Sequence, residues 1–328
     1  MICFNLLVKN YKNIYNIVRG VKKMKENILK PALEKNYAVG AFNFCNMEIL
    51  KGIIYAANEC KSPVIAQMSK GAIEYAGPEY LKALVAVARK EAKYPIFFHL
   101  DHGDSLELVK TAIDIGCDSV MIDASSKPYE ENVKITKEVV KYAHKKGVFV
   151  ESELGKLSGI EEHVNVSEKD SCYTDPDQAL DFVKKTGTDS LAIAIGTSHG
   201  AYKFTGEAKL KYDILKKIQK LIPDTPLVLH GSSSLDQDVV AKYISLGGAI
   251  KGAKGMPEKM LAKAAKMHIC KINVDTDLRL AYTTAILEYM KEHPENIDPR
   301  KYQTKGIEAV KQTVMSKMAY FGSKNKAK

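Results

Sequence analysis

The fold of this chain is decided by the stretch Phe97-Phe98-His99-Leu100-Asp101-His102-Gly103. Together with the preceding Pro95-Ile96, its first half is apolar and aromatic and predicts a buried strand. The strand ends on a carboxylate, an imidazole and a glycine, which places a proton acceptor beside a metal-type ligand at the rim of a sheet. A packed core does not need that pairing. Such pairs also arise by chance at strand ends, so the rest of the chain must decide.

Short apolar runs of the same kind recur along the chain. Between them, apolar residues fall at three- and four-residue steps, which is the spacing of helices. Strands that are apolar on both faces and alternate with helices indicate a parallel sheet covered by helices, and eight such units indicate a closed (β/α)8 TIM barrel of the α/β class. A doubly wound sheet is the alternative, but no GxGxxG sequence follows the first run. The runs are Ala38–Asn43, Pro63–Ser69, Ile96–His102, Ser119–Ser125, Val148–Gly155, Leu191–His199, Leu227–Ser232 and Cys270–Thr276.

Segments outside the eight units also predict helices. Residues 25–37 predict a short helix that closes the bottom of the barrel. The region from Leu278 to about Phe321 predicts extra C-terminal helices, which would form part of the outer helical layer or an arm for oligomerisation.

Composition narrows the class of protein. The chain has 328 residues, enough for one large domain, and a formal net charge of +10. The lysines are spread over helical segments without interleaved aromatic residues, so we expect a solvated surface and no nucleic-acid partner. The six cysteines form no CxxC pair, which favours a reducing, cytoplasmic location. No window is apolar enough for a membrane helix.

The first 23 residues differ from the rest. Residues 1–23 carry five Lys/Arg and no acidic residue, and they lack the apolar core and cleavage site of a signal peptide. We expect Met24 to be the natural start, residues 1–23 to be an extension outside the fold, and residues 24–328 to form the single domain. A targeting peptide is the alternative.

Three histidines occupy equivalent positions in the predicted barrel. His102, His199 and His230 each terminate a different strand, and TIM-barrel enzymes build their sites at these ends. Three converging neutral imidazoles predict a catalytic zinc site with an open fourth position. The other histidines do not share this placement and are interpreted as surface or packing residues: His99, His144, His163, His268 and His293.

Glycines and hydroxyl residues follow two of these histidines. Gly200 allows the backbone to approach a ligand closely. The run Gly231-Ser232-Ser233-Ser234 offers amides and hydroxyls at the start of a helix, which suits a phosphate, and loops after late strands are the usual phosphate site of barrels. Lys203 would add a charged contact, although it could equally be a plain surface lysine.

Acidic residues cluster around the fifth run. Of Glu151 and Glu153 we expect one to point into the barrel, and we choose Glu153, either as an alternate metal ligand or as a partner of one. The following segment, Lys156–Val166, lacks helix or strand periodicity and predicts a mobile loop. From spacing alone, Glu161 and Glu162 on that loop would be solvated acids.

The chain resembles the class II, metal-dependent fructose-1,6-bisphosphate aldolases, and its short mobile segment resembles the class IIB subgroup. The similarity runs from about Met24 to Gly322. Its motifs are His99-Leu100-Asp101-His102-Gly103, Ser119-Val120-Met121-Ile122-Asp123-Ala124-Ser125, Glu153-Leu154-Gly155, Gly196-Thr197-Ser198-His199-Gly200, Leu229-His230-Gly231-Ser232-Ser233-Ser234 and Lys271-Ile272-Asn273-Val274-Asp275-Thr276-Asp277.

The resemblance implies reversible cleavage of fructose 1,6-bisphosphate to dihydroxyacetone phosphate and glyceraldehyde 3-phosphate. It implies one Zn²⁺ held by His102, His199 and His230, with Glu153 able to ligate a displaced metal. A monovalent cation (Na⁺ or K⁺) and a homodimer or homotetramer are also implied.

Roles in the reaction follow from the same resemblance. Asp101 would take the proton from the carbon-4 hydroxyl, and Zn²⁺ with Asn273 would stabilise the enediolate oxygen. Glu161 matches the family's loop glutamate, which protonates carbon 3; the adjacent Glu162 is the alternative. Asp123 would lie behind these residues and orient a ligand histidine or Asp101.

Substrate contacts are implied as well. One phosphate would be bound by Gly200, Lys203, Gly231, Ser233 and Thr276. The other would meet Ser69 and Arg279, the latter donated across a subunit interface. Asp275 would bind sugar hydroxyls.

Several alternatives stay open at this point. One alternative is a tagatose-1,6-bisphosphate aldolase, whose substrate differs from fructose 1,6-bisphosphate only in the stereochemistry at carbon 4. A metal-dependent barrel hydrolase commonly has a His-x-His on the first strand, where this chain has Phe42-Asn43-Phe44. A Schiff-base aldolase needs a buried strand-end lysine, for which Lys203 is a weak candidate. A non-catalytic nucleic-acid or surface-binding protein is suggested only by the charge.

Overall fold

A closed parallel barrel forms the centre of the protein. The computed structural model describes residues 26–157, 159–161, 164–166, 172–198, 209–250 and 252–327. Within these ranges the barrel strands are β1 (Val39–Asn43), β2 (Val64–Met68), β3 (Ile96–Gly103), β4 (Ser119–Ile122), β5 (Phe149–Leu154), β8 (Ser190–Ile193), β9 (Leu227–Leu229) and β10 (Ile269–Val274). They pair in chain order, and β10 closes onto β1. Each of the eight predicted runs overlaps one of these strands, so the predicted TIM barrel is confirmed and the doubly wound sheet is excluded.

The helices cover the barrel. They are α1 (Lys30–Lys35), α2 (Met47–Cys60), α3 (Lys70–Ala76), α4 (Pro78–Glu91), α5 (Leu106–Ile115), α6 (Tyr129–Lys145), α7 (Pro176–Thr186), α8 (Tyr212–Leu221), α9 (Gln237–Ser245), α10 (Glu258–Ala265), α11 (Thr276–Glu292) and α12 (Pro299–Tyr320). Several helices begin after a residue whose side chain caps the helix. Asn46, for example, precedes α2 and accepts a hydrogen bond from the Ile49 amide at 2.9 Å. No helix in these ranges is both long and apolar enough to cross a bilayer.

Residues before β1 close the bottom of the barrel. Ile28, Leu29 and Ala32 are buried in one apolar cluster with Phe97 of β3 and Cys270 of β10. The helix itself spans Lys30–Lys35, a shorter stretch than the predicted 25–37. Residues 1–25 lie outside the described part of the chain, so the domain boundary after residue 23 stays a prediction.

One prediction about the remaining segments is confirmed and one needs correction. The predicted extra C-terminal helices are present as α11 and α12, which are separated around Pro294 because proline cannot continue a helix. The segment Lys156–Val166, predicted as a loop, contains the antiparallel pair β6 (Gly159–Glu161) and β7 (Val164–Val166). Strands of three residues are too short to show a period in the sequence.

The last helix belongs to the outer layer. α12 packs on α2, and its Val310, Val314 and Met318 are buried in the main apolar core. The two helices approach so closely that a Cβ added at Gly52 would lie 2.7 Å from Val310 Cγ1 and 2.9 Å from the Ile307 carbonyl oxygen. Interiors packed this densely do not absorb an extra methyl group without cost.

We therefore expect Gly52→Ala to lower the free energy of unfolding by about 1–3 kcal/mol, although alanine favours helix formation over glycine. Denaturant unfolding of the full chain measures this. Tyr55→Ala, at an exposed position of the same helix, is the matched control and should change stability by less than about 0.5 kcal/mol. Equal stability of Gly52→Ala and the unchanged protein would contradict the close contact of α2 with α12.

Candidate active site

Polar side chains gather at the carboxyl end of the barrel. Asp101 and His102 end β3, Asn273 lies near the end of β10, Glu153 lies in β5 and His230 directly follows β9. All five are buried, with at most 8% of their surface exposed. Because these strands are parallel, their ends lie at one rim, and residues far apart in the sequence meet there.

Asp101 is held by two amides. Asn43 Nδ2 donates to Asp101 Oδ2 and Asn273 Nδ2 donates to Asp101 Oδ1, both at 2.9 Å. Gln67 Nε2 in turn donates to Asn43 Oδ1 at 2.7 Å, which fixes the amide's orientation. Burial raises the pKa of Asp101, but the charges of His102 and Lys271 and the Asn43 hydrogen bond act against burial, and the net effect is a lowered pKa. Asp101 is therefore an ionised carboxylate in a fixed position.

His102 has an unusual backbone conformation. Its φ is +48°, in the left-handed region that residues other than glycine rarely adopt. The pairing of β3 with β4 shifts register between Leu100 and Gly103 at the same place. Neighbouring residues of a regular strand point to opposite faces, whereas here Asp101 and His102 both offer ligand atoms to the same cluster. The local distortion is what brings the two side chains together.

Two imidazoles face each other in the cluster. His102 Nε2 and His230 Nδ1 are 2.7 Å apart. The other nitrogen of each ring is bound to a carboxylate: His102 Nδ1 lies 3.0 Å from Asp123 Oδ2, and His230 Nε2 lies 2.8 Å from Glu151 Oε1. Hydrogen bonding to carboxylates orients metal-ligating histidines in this way.

Carboxylates complete a donor set suited to a metal. Asp101, His102 and His230 form one group of possible ligands, and His102, Asp123 and Glu153 form a second group; within each group the ligand atoms lie within 4.8 Å of one another. Among the described residues, Glu153 Oε2 is a buried oxygen without a hydrogen-bond partner, 3.9 Å from His230 Nδ1. A buried orphan oxygen is costly unless a cation or water satisfies it. Nitrogen and oxygen donors in this arrangement fit a divalent ion such as Zn²⁺.

The pKa values of two residues in this cluster also indicate that it lacks positive charge. Burial raises the pKa of Glu153 well above its usual value, and the charge of Asp123 raises it further. Burial lowers the pKa of His102, yet the charge of Asp101 and the hydrogen bond to Asp123 outweigh it and raise the pKa to about 10. The carboxylates thus favour a positive charge at His102, which a bound metal ion would supply.

The loop after β9 needs its glycine. Gly231 has φ of +59°, and a Cβ there would lie 2.6 Å from the Ser198 carbonyl oxygen of the loop after β8. Ser233 is buried beside it. The next two amides, of Ser234 and Leu235, donate to the Asp277 carboxylate at 3.1 and 3.0 Å. The predicted phosphate residues Gly231 and Ser233 therefore lie on a tightly held loop.

A second group of predicted residues borders an open pocket. Ser69, Asp275 and Arg279 line a cavity of about 440 Å³ together with Asn43. Arg279 Nε donates to Asp275 Oδ1 at 2.8 Å, and the Arg279 side chain is 60% exposed. Thr276 begins α11 beside them. These residues lie next to Asp101 through Asn43, at one side of the metal cluster.

Some predicted residues cannot be placed. His199, Gly200 and Lys203 lie outside the described residues, as does Glu162. The backbone of Glu161 lies in β6, and nothing more of it is described. Their predicted roles stay predictions.

One expectation about the glutamates was wrong. Only one of Glu151 and Glu153 was expected to point inward, but residues two apart in a strand share a face, and both are buried against His230. Sequence reasoning also assigned no role to Asn43 or Lys271. Asn43 could have been found, because it is a polar residue at the end of a predicted strand. Lys271 lies inside an apolar strand, and nothing in the sequence indicates that it pairs with Glu151.

Comparisons with known proteins agree with this geometry. Residues 23–326 match the family model described as "Fructose-bisphosphate aldolase class-II". Fructose-bisphosphate aldolase of Thermus caldophilus is 49% identical over 300 residues, covering 92% of this chain and 98% of that protein. The Giardia intestinalis enzyme of the same name is 50% identical over 299 residues, covering 90% and 91%.

A solved structure is similar over the same length. The YdjI aldolase from Escherichia coli K12 has a TM-score of 0.75 and 34% identity, covering 92% of this chain and 97% of that one. Barrel, site and relatives together define a carbon–carbon lyase, which confirms the predicted enzyme class. The chain belongs to the class II fructose-bisphosphate aldolase family, whose members are generally zinc-dependent.

Removal of one imidazole tests the metal cluster. Loss of a residue that is hydrogen-bonded to a metal ligand typically weakens metal binding by roughly 10–100-fold. We expect His230→Ala to weaken zinc binding by more than this, because the variant loses a direct ligand. Zinc content after dialysis, measured by mass spectrometry, reports it. His293→Ala, at a histidine whose side chain is 47% exposed, is the control and should keep its zinc. Full retention of zinc by His230→Ala would remove His230 from the site.

Proposed function

We propose that the chain reversibly cleaves fructose 1,6-bisphosphate to dihydroxyacetone phosphate and glyceraldehyde 3-phosphate. The observation that carries the proposal is Asp101, an ionised carboxylate fixed by two amides beside two facing imidazoles. Relatives that carry the name fructose-bisphosphate aldolase, at up to 50% identity, support the choice of substrate.

Asp101 is suited to begin the cleavage. It accepts the proton of the carbon-4 hydroxyl, the bond between carbons 3 and 4 breaks, and carbon 4 becomes the aldehyde of glyceraldehyde 3-phosphate. The electron pair remains on the other product as an enediolate. We assign the protonation of carbon 3 to Glu161 and hydrogen bonding to the enediolate oxygen to Asn273, whose amide already reaches Asp101.

Zinc would be held by His102, His199 and His230, and Glu153 would hold an ion in a displaced position. When bound, the ion supplies a Lewis acid for the developing negative charge. Asp123 keeps His102 in place: it accepts from Nδ1 at 3.0 Å, so Nε2 is left to act as the ligand atom.

The two phosphates are assigned to the two sides of the site. Gly231 and Ser233, with Gly200, Lys203 and Thr276, would bind one phosphate. Ser69 and Arg279 would bind the other, with Arg279 supplied by a neighbouring subunit of a homodimer or homotetramer. Asp275 would bind the sugar hydroxyls, and a sodium or potassium ion would assist. We assign the enzyme to the cytoplasm, where reduced thiols and sugar phosphates occur together.

A coupled assay tests the substrate. We expect cleavage of fructose 1,6-bisphosphate with a higher kcat/KM than tagatose 1,6-bisphosphate, loss of activity with a chelator, and recovery on adding Zn²⁺. Equal or better cleavage of tagatose 1,6-bisphosphate would make that sugar the substrate. Activity that survives the chelator but is trapped by borohydride would instead indicate a Schiff base.

Asp101→Asn tests the base. The variant keeps the shape of the side chain, so we expect zinc to stay bound while kcat falls about 10²–10⁴-fold, the usual contribution of general acid–base catalysis. Asp181→Asn, at a half-exposed surface carboxylate, should leave kcat unchanged. Near-normal turnover by Asp101→Asn would exclude Asp101 as the proton acceptor.

A further inference from the structure

A row of charged and polar side chains lies inside the barrel, behind the metal cluster. It consists of Glu151 of β5, Lys271 of β10 and His99 of β3, each no more than 2% exposed. Lys271 Nζ contacts both oxygens of Glu151, at 2.9 and 2.8 Å, and His99 Nε2 at 3.2 Å. Glu151 continues the row to His230 Nε2 at 2.8 Å.

The position of this row is unexpected on physical grounds. The interior of a TIM barrel is normally filled by branched apolar side chains. A buried ion pair is often no more stable than apolar residues of similar volume. The pair is also sealed from below, because Ile28 and Leu29 close the bottom of the barrel. Stability alone therefore gives no reason for its presence.

The hydrogen bonds determine where the protons lie. Lys271 can only donate, so His99 Nε2 accepts, and His99 Nδ1 donates to Ser119 Oγ at 2.8 Å. Glu151, paired with Lys271, is a carboxylate and can only accept, so His230 Nε2 carries a hydrogen. The lone pair of a neutral His230 is then at Nδ1, which is the atom that faces His102.

We propose that Glu151, held at both oxygens by Lys271, is a positioning residue that fixes the tautomer and orientation of His230 toward the divalent ion. Lys271 also offsets the charge of Glu151, so the carboxylate orients the ligand without adding net negative charge to the site. The proposal rests on the metal site proposed above. It assigns Glu151 and Glu153 different tasks, since Glu153 faces His230 Nδ1 and Glu151 faces Nε2.

Zinc affinity is the direct readout. In the full chain, we expect Glu151→Gln and Lys271→Met each to weaken zinc binding about 10–100-fold, measured by competition with a chromophoric chelator, since outer-shell carboxylates typically contribute this much. Because Lys271 acts through Glu151, the double variant Glu151→Gln/Lys271→Met should weaken binding no more than Glu151→Gln alone. The double variant also leaves no unpaired buried charge, so it remains available if a single variant does not fold.

Lys311→Met is the matched control. Lys311 of α12 is also a paired lysine: its side chain is 19% exposed and its Nζ lies 2.8 Å from Glu59 of α2. Neither residue belongs to the groups of possible metal ligands among the described residues. We expect this variant to keep its zinc affinity within twofold of the unchanged protein, whatever stability it loses.

A second readout is the tautomer itself. In the zinc-free full chain, ¹⁵N NMR of the histidine rings should show His230, identified by its loss in His230→Ala, protonated at Nε2, and Glu151→Gln should reduce that preference. Unchanged zinc affinity in Glu151→Gln and in the double variant, with only lower melting temperatures, would overturn the positioning role. Failure of the unchanged protein to bind zinc would instead refute the metal site.

Discussion

The site depends on one local constraint, the presence of two consecutive ligand-bearing residues on the same side of a strand. Asp101 and His102 would point apart in a regular strand. The positive φ of His102 and the register shift beside it allow both to reach the cluster. Gly103 makes the shift possible, since a Cβ there would lie 2.5 Å from the Met121 carbonyl oxygen of β4. Strain of this kind persists only where the surrounding structure enforces it.

The surrounding structure enforces it through hydrogen bonds to carboxylates. Asp101 is held by Asn43 and Asn273, and His102 is held by Asp123. These contacts concentrate negative charge at the barrel rim, and the only buried lysine behind it, among the described residues, is already paired with Glu151. A cation bound at these imidazoles would therefore complete the charge balance of this rim, and metal binding and local structure would support each other.

The sequence predicted site residues correctly where a polar residue stands at the end of a buried strand. The strand ends could be read from the apolar runs, and His102 and His230 followed because polar residues at the end of a buried strand stand out. Glu151 and Lys271 could not be paired in the same way. Each lies within a strand, they are 120 positions apart, and their contact exists only because β10 and β5 face each other across the closed barrel. The backbone distortion at His102 was equally invisible, since no residue type marks it.

The last helix, α12, contacts the loop after β9 through Lys317. Lys317 of α12 reaches Asp277, at the start of α11, at 3.1 Å, and Asp277 accepts the amides of Ser234 and Leu235. Lys317 also contacts the Ser234 hydroxyl directly. The conformation of the loop that begins at Gly231, directly after His230, is thus determined partly by a helix more than 80 residues later. Because α12 also packs on α2, one helix contacts both the outer helical layer and the loop at the rim of the barrel.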